Sequence, residues 1–224
     1  MMEYAIIVAG GSGMRMQSTT PKQFIVIGGL PILMHTINAF YHYSESINII
    51  LVIPEDQFEL WNKLVEVHQF NIPCQLVKGG NTRFESVKNG LDEINNDGLV
   101  AVHDGVRPFV STQIIRNCFA SAQKFGSGIA AVSPKDSIRK LNKEGNCNVD
   151  RADYRLMQTP QIFAVDKIKQ SYLSAKSNKF TDDASVVESS GHQIHLVEGD
   201  YKNIKITTPE DIKIAQALFE LDNY

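Results

Sequence analysis

The sequence is poor in cysteine, carries little net charge and has no long apolar run. Its three cysteines, Cys74, Cys118 and Cys147, are widely spaced and form no CxxC pair, which indicates a reducing compartment and no structural zinc. The N-terminus runs straight into a predicted strand rather than a signal peptide, and no apolar stretch reaches the roughly 18 residues that a membrane span needs. A net charge of −3 argues against nucleic-acid or membrane-surface partners. We therefore expect a soluble cytoplasmic protein.

The composition that remains is that of a globular chain, and 224 residues suffice for a single α/β domain over residues 1–224. Short apolar runs alternate with helical stripes, which predicts a doubly wound, mostly parallel sheet with helices on both faces. The predicted strands are 4–8, 47–53, 74–77, 99–102 and 193–198. The predicted helices are 31–43, 55–69, 111–125, 165–175 and 182–190, with one opening at the capping box Thr82–Glu85 and a last one beginning near Pro209.

Residues 130–160 interrupt this alternation. The stretch is polar, with a turn signal at Glu144-Gly145-Asn146 between two short possible strands. It has too few apolar residues for a core of its own and so needs a neighbouring surface. We interpret residues 134–155 as a protruding β-arm that packs on a second copy of the chain; a disordered surface loop is the alternative.

The first candidate site follows the first predicted strand. The run Gly10-Gly11-Ser12-Gly13 lacks most Cβ atoms, so its backbone N–H groups can approach a ligand closely. Arg15 and Lys22 follow, and backbone amides with two cations suit a triphosphate. A P-loop is excluded because no Gly-Lys-Ser/Thr closes the run, and a dinucleotide fingerprint because Met16 stands where it needs glycine. The alternative is a glycine turn with two solvated cations.

A second motif, Gly79 to Arg83 with Ser86 one helical turn later, also follows a predicted strand. Ligands of open α/β sheets bind at the carboxyl ends of the strands, so this loop belongs to the same region as the first motif. The alternative is an ordinary strand-to-helix turn.

A third motif, His103 to Pro108, ends another strand. Asp104 could face a metal-bound triphosphate and Arg107 could clamp a phosphate with two hydrogen bonds. The alternative is a salt-bridged turn. We interpret His103 as structural or as a supporting residue, since it has no metal-binding partner nearby in sequence.

A fourth motif places Lys205 between two isoleucines, which we interpret as a position inside a strand. A lysine among core residues is costly unless it points at an anion. The alternative is an edge-strand lysine that faces water.

Together these residues carry a family resemblance. Gly11-Ser12-Gly13-Met14-Arg15 followed by Pro21-Lys22 resembles the signature loop of sugar-nucleotide-type nucleotidyltransferases, and Pro-Lys-Gln-Phe resembles the cytidylyltransferase branch. The chain is most similar, nearly end to end, to the 2-C-methyl-D-erythritol 4-phosphate cytidylyltransferase family of the non-mevalonate isoprenoid pathway. The resemblance implies a Rossmann-like nucleotidyltransferase fold, transfer of CMP from CTP to the polyol phosphate with release of pyrophosphate, and Mg²⁺ held mainly by the triphosphate rather than by a protein metal site.

The resemblance also assigns roles to individual residues, with Arg15 and Lys22 as the catalytic cations. The implied nucleotide-binding residues are Ala9, Gly10, Gly11, Gly13, Gly80, Asn81, Ser86, Asp104, Gly105 and Lys205. The implied acceptor-phosphate residues are Arg107, Ser137, Arg151, Thr159 and Lys205. Of these, Arg151 and Thr159 are implied to act from the neighbouring subunit of a homodimer. Gly105 and Val106 depart from the two alanines usual in the family, and Ser137 stands where the family has threonine.

Three other functions are weighed. A cytidylyltransferase for another polyol phosphate, such as ribitol 5-phosphate, shares the opening loop, but Arg151 and Thr181-Asp182-Asp183-Ala184-Ser185 favour methylerythritol phosphate. The stretch Thr181–Ser185 is also typical of a helix N-cap with acidic residues in the first turn. A nicotinamide dehydrogenase is disfavoured by Met16. A non-catalytic nucleotide-binding regulator would have lost a cation, and every cation is present.

Overall fold

The structure is a computed structural model that describes residues 1–10, 20–143 and 145–222. The strands of this part of the chain are β1 (Met2–Val8), β2 (Val26–Ile27), β3 (Leu30–Pro31), β4 (Asn48–Ile53), β5 (Gln75–Lys78), β6 (Gly98–Asp104), β7 (Ser127–Val132), β8 (Ile138–Asn142), β9 (Gly145–Val149), β10 (Leu156–Ala164) and β11 (Leu196–Glu198). Seven strands form one sheet in the order β11-β7-β10-β6-β1-β4-β5. Only β10 runs antiparallel to its neighbours in this sheet, so the predicted mostly parallel sheet is confirmed.

Helices cover both faces of the sheet. The α-helices of the described residues are α1 (Ile32–Tyr43), α2 (Phe58–Val67), α3 (Arg83–Asp92), α4 (Thr112–Phe125), α5 (Val165–Ser174), α6 (Asp183–Ser189) and α7 (Pro209–Asp222). One core joins α1, α2 and α4 to one sheet face, and a second joins α3, α5 and α6 to the other. Because both faces are covered, Ala5, Ile6 and Ile7 of β1 are all fully buried, which explains the apolar runs in the parallel strands.

Two strands of the main sheet overlap the ends of the stretch that the sequence presents as a polar interruption: β7 ends inside it and β10 begins inside it. The expectation that residues 130–160 interrupt the alternation is therefore wrong at the two ends of the stretch. β10 looks polar because Gln158, Thr159 and Gln161 are buried in it. All three side chains are hydrogen-bonded there, and satisfied polar groups are tolerated in a core.

Between β7 and β10 the chain forms a separate two-stranded hairpin of β8 and β9. Ile138 pairs with Val149 at its base and Asn142 with Gly145 at its tip. The predicted pair of short strands is confirmed, although residue 144 of the turn lies outside the described residues. Leu141 near the tip is 80% exposed, so this hairpin leaves a large apolar side chain uncovered within its own chain.

Among the residues that the structure describes, no helix is both long and apolar enough to cross a membrane. The cysteines are free: Cys118 is buried, Cys74 half-buried and Cys147 exposed. Burial raises the pKa of the Cys74 and Cys118 thiols to about 12, so neither is a reactive thiolate at neutral pH.

Candidate active site

A cavity lies at the carboxyl ends of the parallel strands, where an open α/β sheet binds its ligands. Separate segments converge on it. Gly10 follows β1, Gly80 follows β5, Asp104 ends β6, and Lys22 and Lys205 come from connecting segments. The structure therefore brings together one or more residues of each of the four motifs that the sequence singles out.

The Asp104 carboxylate is the centre of the charged part of this cavity. Its Oδ1 lies 3.3 Å from Arg83 Nε, and its Oδ2 lies 2.8 Å from Lys205 Nζ and 3.5 Å from Arg107 Nε. The backbone N–H of Asp104 donates to the Thr159 hydroxyl at 3.1 Å. With its side chain only 10% exposed, Asp104 is held from every side by donors.

These cations determine the charge of the carboxylate. Burial alone would raise the pKa of Asp104, but the positive charges of Arg83, Lys205 and Arg107 outweigh it and hold that pKa well below its ordinary value. Asp104 is thus an anion at neutral pH. These three cations contact two carboxylates, Asp104 and Asp183. The surplus of positive charge at the cavity favours a polyanionic ligand.

Arg107 is oriented by a buried frame. Its Nη1 donates to the backbone oxygen of Asn203 at 2.8 Å. The side chain of Asn203, which is fully buried, donates in turn to Gln158 Oε1 at 3.2 Å and to the Thr159 carbonyl at 2.8 Å. The polar residues of β10 therefore fix the segment that carries both Asn203 and Lys205.

Lys205 does not lie in a strand, so that part of the sequence interpretation is wrong. Residues 203–207 run as an irregular segment, joined to the residues after β6 by a hydrogen bond from Ile206 N–H to the Val106 carbonyl at 2.9 Å. Ile206 is fully buried and anchors the segment. Lys205 Nζ lies 2.8 Å from Asp104 Oδ2, so the anion that it contacts here is a carboxylate of its own chain. Its expected contact with a phosphate stays a prediction.

The loop after β5 is held by side chains of the first turn of α3. Thr82 caps the helix by accepting from Glu85 N–H at 3.1 Å, and Glu85 accepts from Asn81 N–H at 2.7 Å. The predicted capping box is therefore formed, with its carboxylate bound one residue before the cap. Ser86 Oγ accepts from Gly80 N–H at 3.1 Å and donates to the Thr82 carbonyl at 2.9 Å. The loop is thus held in place by hydrogen bonds within its own chain.

Gly80 is required by the fold of this loop. A Cβ built on it would lie 2.3 Å from the Cβ of Glu85, closer than any two such atoms can approach. A larger residue at position 80 would therefore displace Glu85 before it could meet a bound base.

Lys22 begins a single 3₁₀ turn, Lys22–Phe24. Gln23 Nε2 donates to Gln57 Oε1 at 2.6 Å, and the buried ring of Phe24 stacks on Trp61 with 6.5 Å between ring centroids. These contacts fix the backbone from which Lys22 reaches the cavity. Gly11, Gly13 and Arg15, which the resemblance also assigns to the site, lie outside the described residues.

Two other residues that the resemblance assigns to the site, Gly105 and Thr159, lie close to Asp104 and are packed against other parts of the chain. Gly105 has no room for a side chain, since a Cβ there would lie 2.8 Å from Ala9 Cβ and 2.9 Å from Leu33 Cδ1. Thr159 is a buried residue of β10 beside Asp104 of its own chain. The expectation that Thr159 acts from a neighbouring subunit is corrected by this position.

Ser137 and Arg151 lie at the base of the hairpin and are exposed. The Arg151 Nη1 group donates to the Lys135 carbonyl, and neither residue lines the cavity of its own chain. Their assigned contact with the acceptor phosphate therefore requires a second chain and stays a prediction.

Sequence reasoning gave no role to Arg83, yet it is one of the best-connected residues of the site. Its Nη1 and Nη2 donate to the two oxygens of Asp183 at 3.0 and 2.8 Å, while its Nε faces Asp104. Burial opposes the charge of Arg83, but the carboxylates of Asp183 and Asp104 outweigh it and raise the pKa of the guanidinium. The hint available in sequence was the pair Asp182-Asp183, where a cap needs only one carboxylate.

His103 is buried behind the site. Its Nε2 lies 3.1 Å from the Arg107 carbonyl, and its ring meets Phe40 edge to face with 5.0 Å between centroids. Burial lowers the pKa of His103 to about 4, so the ring is neutral at pH 7 and donates its Nε2–H to that carbonyl. This contact makes it a supporting residue, as the sequence suggests. Within the described residues no group of three His, Cys, Asp or Glu side chains could hold a metal ion.

Comparison with known proteins agrees with this geometry. The family described as 2-C-methyl-D-erythritol 4-phosphate cytidylyltransferase matches residues 3–221. The chain is 49% identical to the protein of that name from Bacteroides thetaiotaomicron, over 97% of this chain and 100% of the relative, and 41% identical to the one from Clostridium perfringens, over 95% and 96%.

Solved structures give the same result. The crystal structure of 4-diphosphocytidyl-2C-methyl-D-erythritol synthase from Anaerococcus prevotii is similar with a TM-score of 0.84 and 31% identity, covering 98% of both chains. The 2-C-methyl-D-erythritol 4-phosphate cytidylyltransferase from Thermus thermophilus is similar with a TM-score of 0.80 and 28% identity, over 98% of this chain and 100% of the other.

Proposed function

The chain belongs to the 2-C-methyl-D-erythritol 4-phosphate cytidylyltransferase family, and from that premise we propose how its cavity performs the reaction. The enzyme transfers CMP from CTP to 2-C-methyl-D-erythritol 4-phosphate and releases pyrophosphate, a step of isoprenoid precursor biosynthesis. The observation that carries the mechanism is the cation cluster: Lys22, Arg83 and Lys205 line one cavity, and Arg107 reaches Asp104 at its edge.

The chemistry explains why cations dominate the site. A phosphate oxygen of the acceptor attacks the α-phosphorus of CTP in line, the new P–O bond forms, and the bond to pyrophosphate breaks. Both reactants are polyanions, so the barrier consists largely of charge repulsion and of charge that develops on the α-phosphoryl oxygens and the leaving group. No general base is needed, because a phosphate monoester is already ionised at pH 7.

We assign the two sides of the transfer to different cations. Lys22, together with Arg15, would stabilise the α-phosphoryl group and the departing pyrophosphate. Lys205 and Arg107 would hold the acceptor phosphate. In the structure both are already drawn together by Asp104, so little reorganisation is needed when the phosphate arrives.

Base recognition would use the loop after β5. The N–H groups of Gly80 and Asn81 are already donated to Ser86 and Glu85, so they are poor donors for a base. The exocyclic amine of cytosine needs an acceptor and its N3 needs a donor. We propose that loop carbonyls accept from the amine and that the side-chain amide of Asn81 donates to N3.

The described residues offer few ligands for a divalent cation. Both oxygens of Asp104 already face cations, and the described residues offer no cluster of three metal ligands. We propose that Mg²⁺ would be held mainly by the triphosphate itself rather than by protein carboxylates. Its chemistry is to neutralise phosphate charge as the leaving group departs.

The hairpin of β8 and β9 would complete the site of a second chain in a homodimer. Its exposed Leu141 and the exposed Arg151 at its base suit an interface better than an isolated surface. Arg151, and with it Ser137, would then reach the acceptor phosphate held by the partner's cavity. The free cysteines fit a cytoplasmic location, which we propose for the enzyme.

Pyrophosphate release from CTP, measured against a panel of polyol phosphates with and without Mg²⁺, tests this function. We expect release with 2-C-methyl-D-erythritol 4-phosphate and little with ribitol 5-phosphate. A preference for ribitol 5-phosphate, or release that needs no acceptor, would contradict it.

The shared site is tested by mixing two inactive variants, Lys22→Ala and Arg151→Ala. After subunit exchange, mixed dimers contain one site whose cavity and hairpin are both intact, so activity should return towards that of one site per dimer. Demonstrated exchange without recovered activity would show that each chain acts alone.

A further inference from the structure

The two aspartates at the start of α6 have different surroundings. Asp182 is the helix cap, with its Oδ1 accepting from Ser185 N–H at 3.0 Å, and its Oδ2 accepts from Gln161 Nε2 at 2.9 Å. Asp183 makes no contact that a helix start requires. It is fully buried and faces the wall of the cavity.

Three donors hold the Asp183 carboxylate. Arg83 binds it with two parallel hydrogen bonds of 3.0 and 2.8 Å, and the Tyr172 hydroxyl donates to Oδ1 at 2.6 Å. A planar guanidinium bound in this way is fixed in position and in rotation. The side chain of Arg83 therefore belongs to the wall even though it borders the cavity.

The third nitrogen of Arg83 connects this buried pair to the site. Nε lies 3.3 Å from Asp104 Oδ1, on the side opposite Lys205 and Arg107, which share Oδ2. Oδ1 of Asp104 thus contacts Arg83 in the cavity wall, whereas Oδ2 contacts the two cations Lys205 and Arg107. If the charge of Asp183 were absent, Arg83 would be free to turn its full charge towards Asp104, and Lys205 and Arg107 would lose their share of the carboxylate.

We propose that Asp183 is a positioning residue for the acceptor half of the reaction: it holds Arg83 in the wall, so that Asp104 presents Lys205 and Arg107 to the incoming phosphate. The inference rests on the proposed function in one respect, namely that these two cations bind the acceptor phosphate. Asp183 touches no substrate and acts only through Arg83 and Asp104.

The test is the pair of variants Asp183→Asn and Asp182→Asn. Each replaces one adjacent carboxylate of the same turn by a near-isosteric amide, but only the first removes the partner of Arg83. We expect Asp183→Asn to raise the KM for the polyol phosphate roughly tenfold, the scale of one charge-assisted contact, with the KM for CTP changed less than about threefold. Asp182→Asn should lower the thermal midpoint and leave both KM values within about twofold.

Arg83→Gln and the double variant Asp183→Asn/Arg83→Gln show whether the pair acts as a unit. If it does, the double variant should cost no more in acceptor kcat/KM than the worse single variant. If Asp183→Asn does not fold, Arg83→Lys decides in its place, because lysine keeps the charge and loses the two-pronged contact; the same selective rise in acceptor KM is expected.

Several outcomes would overturn the inference: unchanged KM values in Asp183→Asn, equal rises for both substrates, or equal effects of the two asparagine variants. Failure of the proposed function would appear separately, as wild-type enzyme that does not use methylerythritol phosphate. In that case crystal structures of the wild type and Asp183→Asn still decide the matter. The inference requires a displaced Arg83 and a longer Lys205–Asp104 contact, and an unmoved Arg83 would refute it.

Discussion

Replacing Asp104 by asparagine removes the one carboxylate that three cations share while keeping its shape. Two of its ion contacts, to Lys205 at 2.8 Å and Arg83 at 3.3 Å, are close, and the third, to Arg107, is 3.5 Å. Hydrogen bonds to charged groups contribute about 1.5–3 kcal/mol each. Lys205 is 40% exposed, so water screens its share and the total is well below the sum. We expect a loss of about 3 kcal/mol in the free energy of unfolding, the low end for a broken buried ion pair.

For a chain of this length that loss corresponds to a thermal midpoint lower by roughly 6–12 °C. The stability contribution has a defined pH range. Because the pKa of Asp104 is depressed in the folded state, its contribution is complete above the unfolded pKa of about 3.9 and is lost only as the pH falls below it. The difference between wild type and Asp104→Asn should therefore be constant from pH 5 to 8.

Ligand binding should respond differently from stability. Asp104→Asn makes the cavity more positive, so CTP affinity measured by calorimetry should not fall, while kcat should drop because Lys205 and Arg107 lose their orientation. Asp92→Asn is the matched control, since Asp92 forms an exposed ion pair with Lys88 that is expected to contribute less than about 1 kcal/mol. If Asp104→Asn proves no more destabilising than Asp92→Asn, the three contacts are not formed in solution.

Three further predictions concern single residues. Lys22→Ala should lower kcat by roughly 10²–10⁴-fold with a much smaller change in CTP affinity; kcat within a fewfold of wild type would exclude a catalytic role. Gly80→Ala should lower the thermal midpoint and weaken CTP binding, because its Cβ would meet Glu85 at 2.3 Å. At Gly10 no atom of the described residues comes closer than 3.9 Å to such a Cβ, so Gly10→Ala should keep its midpoint; equal midpoints for the two variants would refute this. The pKa of His103 is about 4 when folded and about 6.5 when unfolded, so stability should fall by up to about 3 kcal/mol as pH drops from 7 to 4. In His103→Gln, the free energy of unfolding from denaturant titrations should depend less on pH between 7 and 4. An unchanged pH dependence would show that His103 is not its source.

The parallel strands could be predicted because the apolar sequence of each strand indicates that it is buried. Residues 49–53 and 99–102 are continuous apolar runs, and burial on both faces of a parallel sheet produces that pattern directly. β10 could not be identified in the same way. Its buried Gln158 and Gln161 are satisfied by partners at positions 200, 203, 182 and 184, and no local pattern contains that information.

The site shows the same division. Gly10 and Asp104 are recognisable because they lie at the ends of apolar parallel strands, and such strand ends converge in an open sheet. Arg83 and Asp183 are separated by 100 positions in sequence and meet only through folding. A carboxylate in the first turn of a helix is an ordinary sequence feature, so the local pattern of residues 181–185 points to a cap and is correct for Asp182. The second carboxylate is a hint that the sequence contains, but only the contact of Asp183 with Arg83 in the folded chain shows what it binds.

The polar residues that made β10 hard to recognise are the ones that organise the site. Gln158 and the Thr159 carbonyl hold Asn203, whose own carbonyl receives Arg107, and the Thr159 hydroxyl receives the N–H of Asp104. An apolar strand at this place would bury equally well but would offer no partner for Asn203 or for the Asp104 backbone. Buried polar groups are costly unless they are satisfied, and here the same hydrogen bonds satisfy the strand and fix two cations and a carboxylate. The departure from the hydrophobic pattern in β10 is thus a consequence of the site that the strand supports.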